Sequence, residues 1–143
     1  MRKLIFVFLL LSFQVIVAQE SEVQKAVEIF FEGFHSRDSL KIKSVIEENM
    51  ILQSISESEK GNRLTDEKAS EFIKSIVSIP KEVKFEERII SCKIQIDGAM
   101  AHVWTPYEFY INGKLSHKGV NSFQLFKEKD KWKIIYIVDT RRK

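Results

Sequence analysis

The stretch AHVWTPYEFY, residues 101–110, alternates with a period of two and is bracketed by Asp97-Gly98 and Asn112-Gly113. Such pairs between alternating runs signal two-residue hairpin turns, because Asn, Asp and Gly accept the positive φ those turns require. They predict strands over 83–96, 99–111 and 114–127, and a weaker turn near Lys129-Asp130 adds a strand over 131–140. Successive side chains of a strand point to opposite faces, so the register decides which set is buried.

Counting outward from two-residue turns sets Ile96 opposite Ala99, Ile94 opposite Ala101, Cys92 opposite Val103 and Ile90 opposite Thr105. The next hairpin sets Thr105 opposite Val120, Val103 opposite Ser122 and Tyr107 opposite Lys118. A two-residue third turn places Val120 opposite Asp139 and Ser122 opposite Ile137. One face then carries Ile90, Cys92, Ile94, Ile96, Val120, Phe126, Ile135 and Ile137, and this is the expected core face. The other combines Ser91, Lys93 and Gln95 with His102, Trp104, Tyr110, Phe123, Leu125, Ile134, Tyr136 and Val138. An outer sheet face so aromatic is expected to meet a partner, and a second copy is the commonest one. The expectation is a homodimer through His102, Trp104, Tyr110, Phe123 and Tyr136. Pro106 has no backbone donor, and a bulge there would exchange Tyr107 and Glu108 between faces.

Ahead of the strands the period is helical. Val23, Ala26, Val27, Phe30, Phe31 and Phe34 share one face of a helix expected over Glu22–His35, with Ser21-x-x-Gln24 as its capping box. A short helix with Leu40, Val45 and Ile46 follows, then a strand near Met50–Ile55 and a loop over Glu57–Asn62. A third helix, capped by Thr65, would bury Ala69, Phe72, Ile73, Ile76 and Val77 and end at Pro80. Three helices ahead of an antiparallel meander make an α+β domain.

Residues 1–18, MRKLIFVFLLLSFQVIVA, combine a basic start, an apolar run and a small residue at a cleavage position. That pattern is a secretory signal peptide cut between Ala18 and Gln19, and the apolar stretch is short for a membrane anchor. The expected mature chain is one domain, 19–143, exported to the periplasm or beyond the cell without a stable membrane anchor. Losing Arg2 and Lys3 lowers the formal charge from +3 to +1, a balance that points to no nucleic-acid partner. Cys92 is the single cysteine, which rules out an intrachain disulfide and a cysteine-rich zinc site; it reads as a small buried hydrophobe. No helical His-x-x-x-His spacing occurs, so no metal site and no cofactor are expected.

The opening AVEIFFEGFHSRD with its short second helix, the stretch DGAMAHVWTPYEFY and the closing KDKWKIIYIVDT resemble the nuclear transport factor 2-like superfamily. The likeness lies near its SnoaL-like and lumazine-binding branches. It spans Val23–Thr140 and implies a cone-shaped curved antiparallel sheet wrapped against three N-terminal helices. It also implies a cavity open at one end, and members often dimerise through the outer sheet face. The superfamily includes isomerases, dehydratases, cyclases, hydrolases and non-catalytic ligand binders, so the fold alone names no reaction.

Inside such a cone the register places Arg88, Tyr107, Lys118 and Arg141 in one row at the mouth, next to the row of Thr105 and Asp139. Phe109, Phe30 and Phe34 add an aromatic wall, and His35 ends the first helix beside it. His117 is expected on the outer face, opposite Glu108. The first reading is an exported domain holding a small, partly apolar, anionic molecule, with the cations as its counter-charges. The second is an acid–base enzyme of isomerase or dehydratase type, with Asp139 as general base and Tyr107 donating to an oxyanion. The third is a dimeric protein-interaction module.

Overall fold

The computed structural model describes the backbone of residues 2–143 and the side chains of residues 18–143. The expected leader therefore falls on residues whose side chains lie almost wholly outside those described. Helix α1 spans Arg2–Ser36 and passes through Ser21 without a capping box; Gln24 bonds Glu28 one turn on, at 2.9 Å. Among the residues whose side chains are described, the buried stripe begins at Val23, beyond the expected cleavage position. Among the described residues no helix is long and apolar enough to cross a membrane.

Asp38 ends the turn after α1 and caps α2 (Ser39–Val45), its carboxylate accepting from the backbone N–H of Leu40 and Lys41 at 3.0 Å each. Strand β1 (Ile46–Ser56) follows directly, then β2 (Arg63–Lys68) and α3 (Ala69–Val77). Thr65 belongs to β2 rather than to a helix cap: the apolar period of α3 starts only at Ala69, and the residues before it pair with β1. The meander comprises β3 (Phe85–Ile89), β4 (Lys93–Asp97), β5 (Met100–Ile111), β6 (Lys114–Glu128) and β7 (Lys131–Arg141).

Together the strands form one curved, unclosed sheet in the order β2-β1-β7-β6-β5-β3, with β4 also on β5. The fold is α+β as expected. The sheet is mixed, however: β1 runs parallel to β7, because α2 delivers the chain to that edge in the same direction. The concave face buries Val103, Phe123, Leu125, Ile134 and Ile137 against Val23, Phe30 and Ile42 of the helices.

Three irregularities change which side chains face inward. The β4–β5 turn is Gly98-Ala99 rather than Asp97-Gly98, which slides Ile94 to Val103; a slide of two preserves faces. Between β4 and β3, however, Ile90, Ser91 and Cys92 leave the ladder, and β3 resumes with Glu87 opposite Phe109 and Arg88 opposite Glu108. That one-residue offset turns Phe85, Glu87 and Ile89 inward, and leaves Arg88, Ile90 and Cys92 exposed. Pro106 tolerates its central position there. Its carbonyl accepts from Ile90 at 2.8 Å, so its missing N–H points toward the same interruption. The interruption lies on the strand opposite Pro106, and Tyr107 stays inward.

In the β5–β6 hairpin the Asn112-Gly113 turn has both residues at positive φ, as expected. A bulge between Phe109 and Tyr110 then moves His117, Gly119, Asn121 and Phe123 to the inner face and Lys118 and Val120 outward. A second bulge, between Gln124 and Leu125 on the ladder to β7, lets Trp132 and Ile134 share the core with Ile137 and ejects Ile135. Phe123, Leu125 and Ile134, expected outside, are core residues; Cys92, Val120, Phe126 and Ile135, expected inside, are not.

Candidate functional site

The concave face does not close fully on the helices. A cavity of about 240 Å³ remains between α1, α3 and strands β1, β2, β3, β5, β6 and β7. Its inner wall is aromatic, because α1 brings Phe30, Phe31 and Phe34 to the sheet on one helical face. Phe72 of α3 stacks on both Phe30 and Phe34, at centroid distances of 6.0 and 6.1 Å. The opposite end is polar: Glu67, Glu87, Tyr107, His117, Asn121, Asp139 and Arg141 reach it from five strands.

Asp139 sits near the end of β7, opposite Asn121 of β6. Its Oδ1 accepts from the Ser54 hydroxyl of β1, and its Oδ2 accepts from Arg141 Nε at 2.7 Å and from the Tyr107 hydroxyl at 3.2 Å. The Tyr107 hydroxyl also lies 2.9 Å from the Thr140 carbonyl, so its one proton is shared between two acceptors. Burial, then the Asp139 and Glu87 carboxylates, push the phenol well above its ordinary range and keep it a donor. Beneath the hydroxyl lies Gly119, where any Cβ would stand 1.7 Å from the Thr140 oxygen. That close approach of β6 to β7 allows Tyr107 to reach Asp139.

Glu87 forms the second polar group. Its Oε1 accepts from Asn121 Nδ2 at 2.7 Å, and Asn121 stands 3.4 Å from the Thr105 hydroxyl. Glu87 lines the cavity, and its other carboxylate oxygen has no hydrogen-bond partner among the described residues. The residue is half-buried. Burial, aided by Asp139 and opposed by the Asn121 hydrogen bond and Arg141, raises it to about 7. Glu67, from edge strand β2, is raised in the same direction by burial. His117 stacks on Phe109 at 4.9 Å; burial and then Arg141 lower its basicity, favouring the neutral ring.

Six of the residues picked out from the sequence line this cavity: Asp139, Tyr107, Phe109, Arg141, Phe30 and Phe34. Thr105 is buried beside Asn121 but lines a neighbouring pocket rather than this cavity. His35 stands behind the wall, where its Nε2 accepts from the Glu87 backbone N–H at 2.9 Å; that contact and burial favour the neutral ring. Arg88 and Lys118 are not there. Arg88 lies on the convex face, paired with Glu86 at 2.9 Å and set 4.1 Å over the Tyr110 ring, and Lys118 is exposed opposite Glu108. Both were displaced by the one-residue offsets described above. The same offsets bring in Glu87, Asn121 and His117, which the sequence reading passed over or assigned to the outer face.

A signal for the offset was present in the sequence. The apolar residues of the third and fourth strands change parity, from Phe85 and Ile89 to Ile94 and Ile96, and a continuous strand cannot bury both sets. Among the described residues no group of three or more His, Cys, Asp or Glu side chains is placed to hold a metal ion. The polar end can anchor a hydrogen-bonding group, neutralise charge, and exchange a proton near neutral pH.

No family model matches the chain, and no curated protein matches it in sequence. Solved structures do match its fold. A nuclear transport factor 2-like protein from Cytophaga hutchinsonii superposes with a TM-score of 0.70 at 12% identity, over 87% of this chain and 98% of that one. One of unknown function from Pseudomonas putida gives 0.69 at 10% identity, over 87% of each chain. Another of unknown function, from Shewanella baltica, gives 0.65 at 15% identity, over 89% of this chain and 96% of that one.

Proposed function

Taking the nuclear transport factor 2-like fold of this chain as the premise, we propose that it is an exported small-molecule-binding domain whose ligand occupies the cone. The supporting observation is the cavity itself, aromatic at its inner wall and lined at the other end by oriented polar groups. Such a pocket takes up the apolar body of a small molecule and fixes its polar end. Its volume, about 240 Å³, suits a compact molecule. Native mass spectrometry of the chain purified from its export compartment tests the reading. The expected spectrum shows the mature mass, starting at Gln19, with a small adduct; a leader-bearing chain without an adduct and without affinity for small aromatic molecules overturns it.

A second reading, proton transfer, is favoured by the placing of Glu87 in the cavity wall, where burial raises it to about 7 and lets it exchange a proton at physiological pH. Asp139 is less suited to that task than Glu87, since three donors hold its charge and the Tyr107 proton is engaged with it. Exchange of the α-protons of small ketones, followed by nuclear magnetic resonance, distinguishes the two carboxylates. The expected loss is in Glu87→Gln, and equal rates in wild type and this variant would remove the reading.

A further inference from the structure

We infer that the molecule held in the cone is a small organic cation, an amine carried on an apolar body. This rests on the binding reading above and gives it a chemical class. The cavity holds three carboxylates, Glu67, Glu87 and Asp139, against a single permanent cation, Arg141. Arg141 is committed to Asp139 at 2.7 Å, which leaves that pair close to neutral. Neither Glu67 nor Glu87 has an ion-pair partner among the described residues. Histidine does not supply the missing charge: burial favours the neutral ring of both His117, in the wall, and His35, behind it. The two side chains that would have attracted an anion, Arg88 and Lys118, point away from the cavity.

A carboxylate shielded from water needs either a proton or a cation. At Glu87 burial favours the proton and raises the carboxyl to about 7. An ammonium group beside its unpartnered oxygen would replace that proton and form a charge-assisted hydrogen bond in a poorly screened place. The rest of the cavity suits the same ligand. Phe30, Phe34, Phe72 and Phe109 present ring surface to an apolar body, and ring faces attract a cation as well. A carboxylate ligand would instead meet Glu67 and Glu87 with only a partly neutralised Arg141 to offset them.

Because Glu87 must release its proton, amine affinity should rise between pH 5.5 and 8. The other groups facing the site modulate this rise. Glu67 and Asp139 add negative charge, Arg141 subtracts it, Tyr107 stays protonated, and His117 and His35 add positive charge only as pH falls.

Three isosteric probes, benzylamine, benzyl alcohol and benzoate, decide the matter by calorimetric titration of the mature chain at pH 7 and low salt. Benzylamine should bind at least about tenfold more tightly than either other probe, a gap of about 1.4 kcal/mol. Binding should release protons to the buffer. Glu87→Gln should cost benzylamine at least about tenfold in affinity while leaving benzyl alcohol unchanged, and circular dichroism confirms that the variant is folded. Tightest binding by benzoate, lost in Arg141→Gln, overturns the cation and leaves the small-molecule reading intact. Equal binding of amine and alcohol does the same. Failure of all three probes overturns the cation, and the adduct seen or missing in native mass spectrometry then decides separately whether the cone binds any small molecule.

Discussion

Glu87 and Tyr107 make contributions that single substitutions can separate. The Glu87 carboxyl is raised from an ordinary 4.5 to about 7 in the folded chain, so between those values the native state holds a proton that the unfolded state has released. Stability therefore falls as pH rises through that window, by about 3 kcal/mol in all, and is fully present only below 4.5. Glu87→Gln should remove this slope and stabilise the chain at pH 8 by a few kcal/mol; urea unfolding of both proteins from pH 4 to 8 measures it. Tyr107→Phe removes one of the donors to Asp139 and leaves its charge less well satisfied. It should cost about 1–2 kcal/mol in the same assay at pH 7. At this scale the sequence showed Asp139, Tyr107, Arg141 and the phenylalanines; Asp139 and Arg141 stay inward because the one-residue offsets on the two ladders of β6 cancel across it. Glu87 and Asn121 stayed hidden because their facing depends on where a strand slips by one.

Among the elements, β6 and β7 depend on one residue at their crossing. Gly119→Ala would set a methyl group 1.7 Å from the Thr140 carbonyl, so backbone must move and the Tyr107–Asp139 contact must open. A loss of about 3 kcal/mol or more is expected, with a lower thermal midpoint and, in the binding assays, weaker ligand affinity. The β3–β4 interruption makes a second prediction. Cys92, set outside the ladder, is exposed, so an aromatic disulfide reagent should modify one thiol per chain without denaturant. A thiol that reacts only after unfolding would mean that the strand is continuous there and Glu87 faces out. The hairpin turns at Asn112-Gly113 and Lys129-Asp130 were legible because turn chemistry is local. The bulges were not, since an extra residue is tolerated wherever the inner face gains more by burying Phe123, Leu125 and Ile134 than the ladder loses.

For the whole molecule, the convex face still carries Trp104, 43% exposed, with His102, Tyr110 and Tyr136 half-buried around it. Phe123 has left that set for the core, so the face is less apolar than the alternation suggested. We propose that it remains the dimer contact. Sedimentation of the mature chain at micromolar concentration should give twice the monomer mass, and Trp104→Lys should return it to one without lowering the thermal midpoint of the fold. The chain beginning at Gln19 should fold as the full chain does, because the first core side chain among the described residues is Val23.

What the sequence determined by itself was everything governed by local periodicity: helical stripes, period-two strands, two of the three hairpin turns, and hence an α+β fold with aromatic helices against a meander. Those features follow from side-chain direction and φ preference within a few residues. What only the tertiary structure decided was facing. The parallel β1–β7 pair, the interruption at Ile90–Cys92 and the two bulges depend on distant strands competing to fill one concave face. Each offset of a single residue exchanges the two faces of a strand. That exchange turned Arg88 and Lys118 outward and brought Glu87, His117 and Asn121 in, so the cavity gained a carboxylate where cations had been expected.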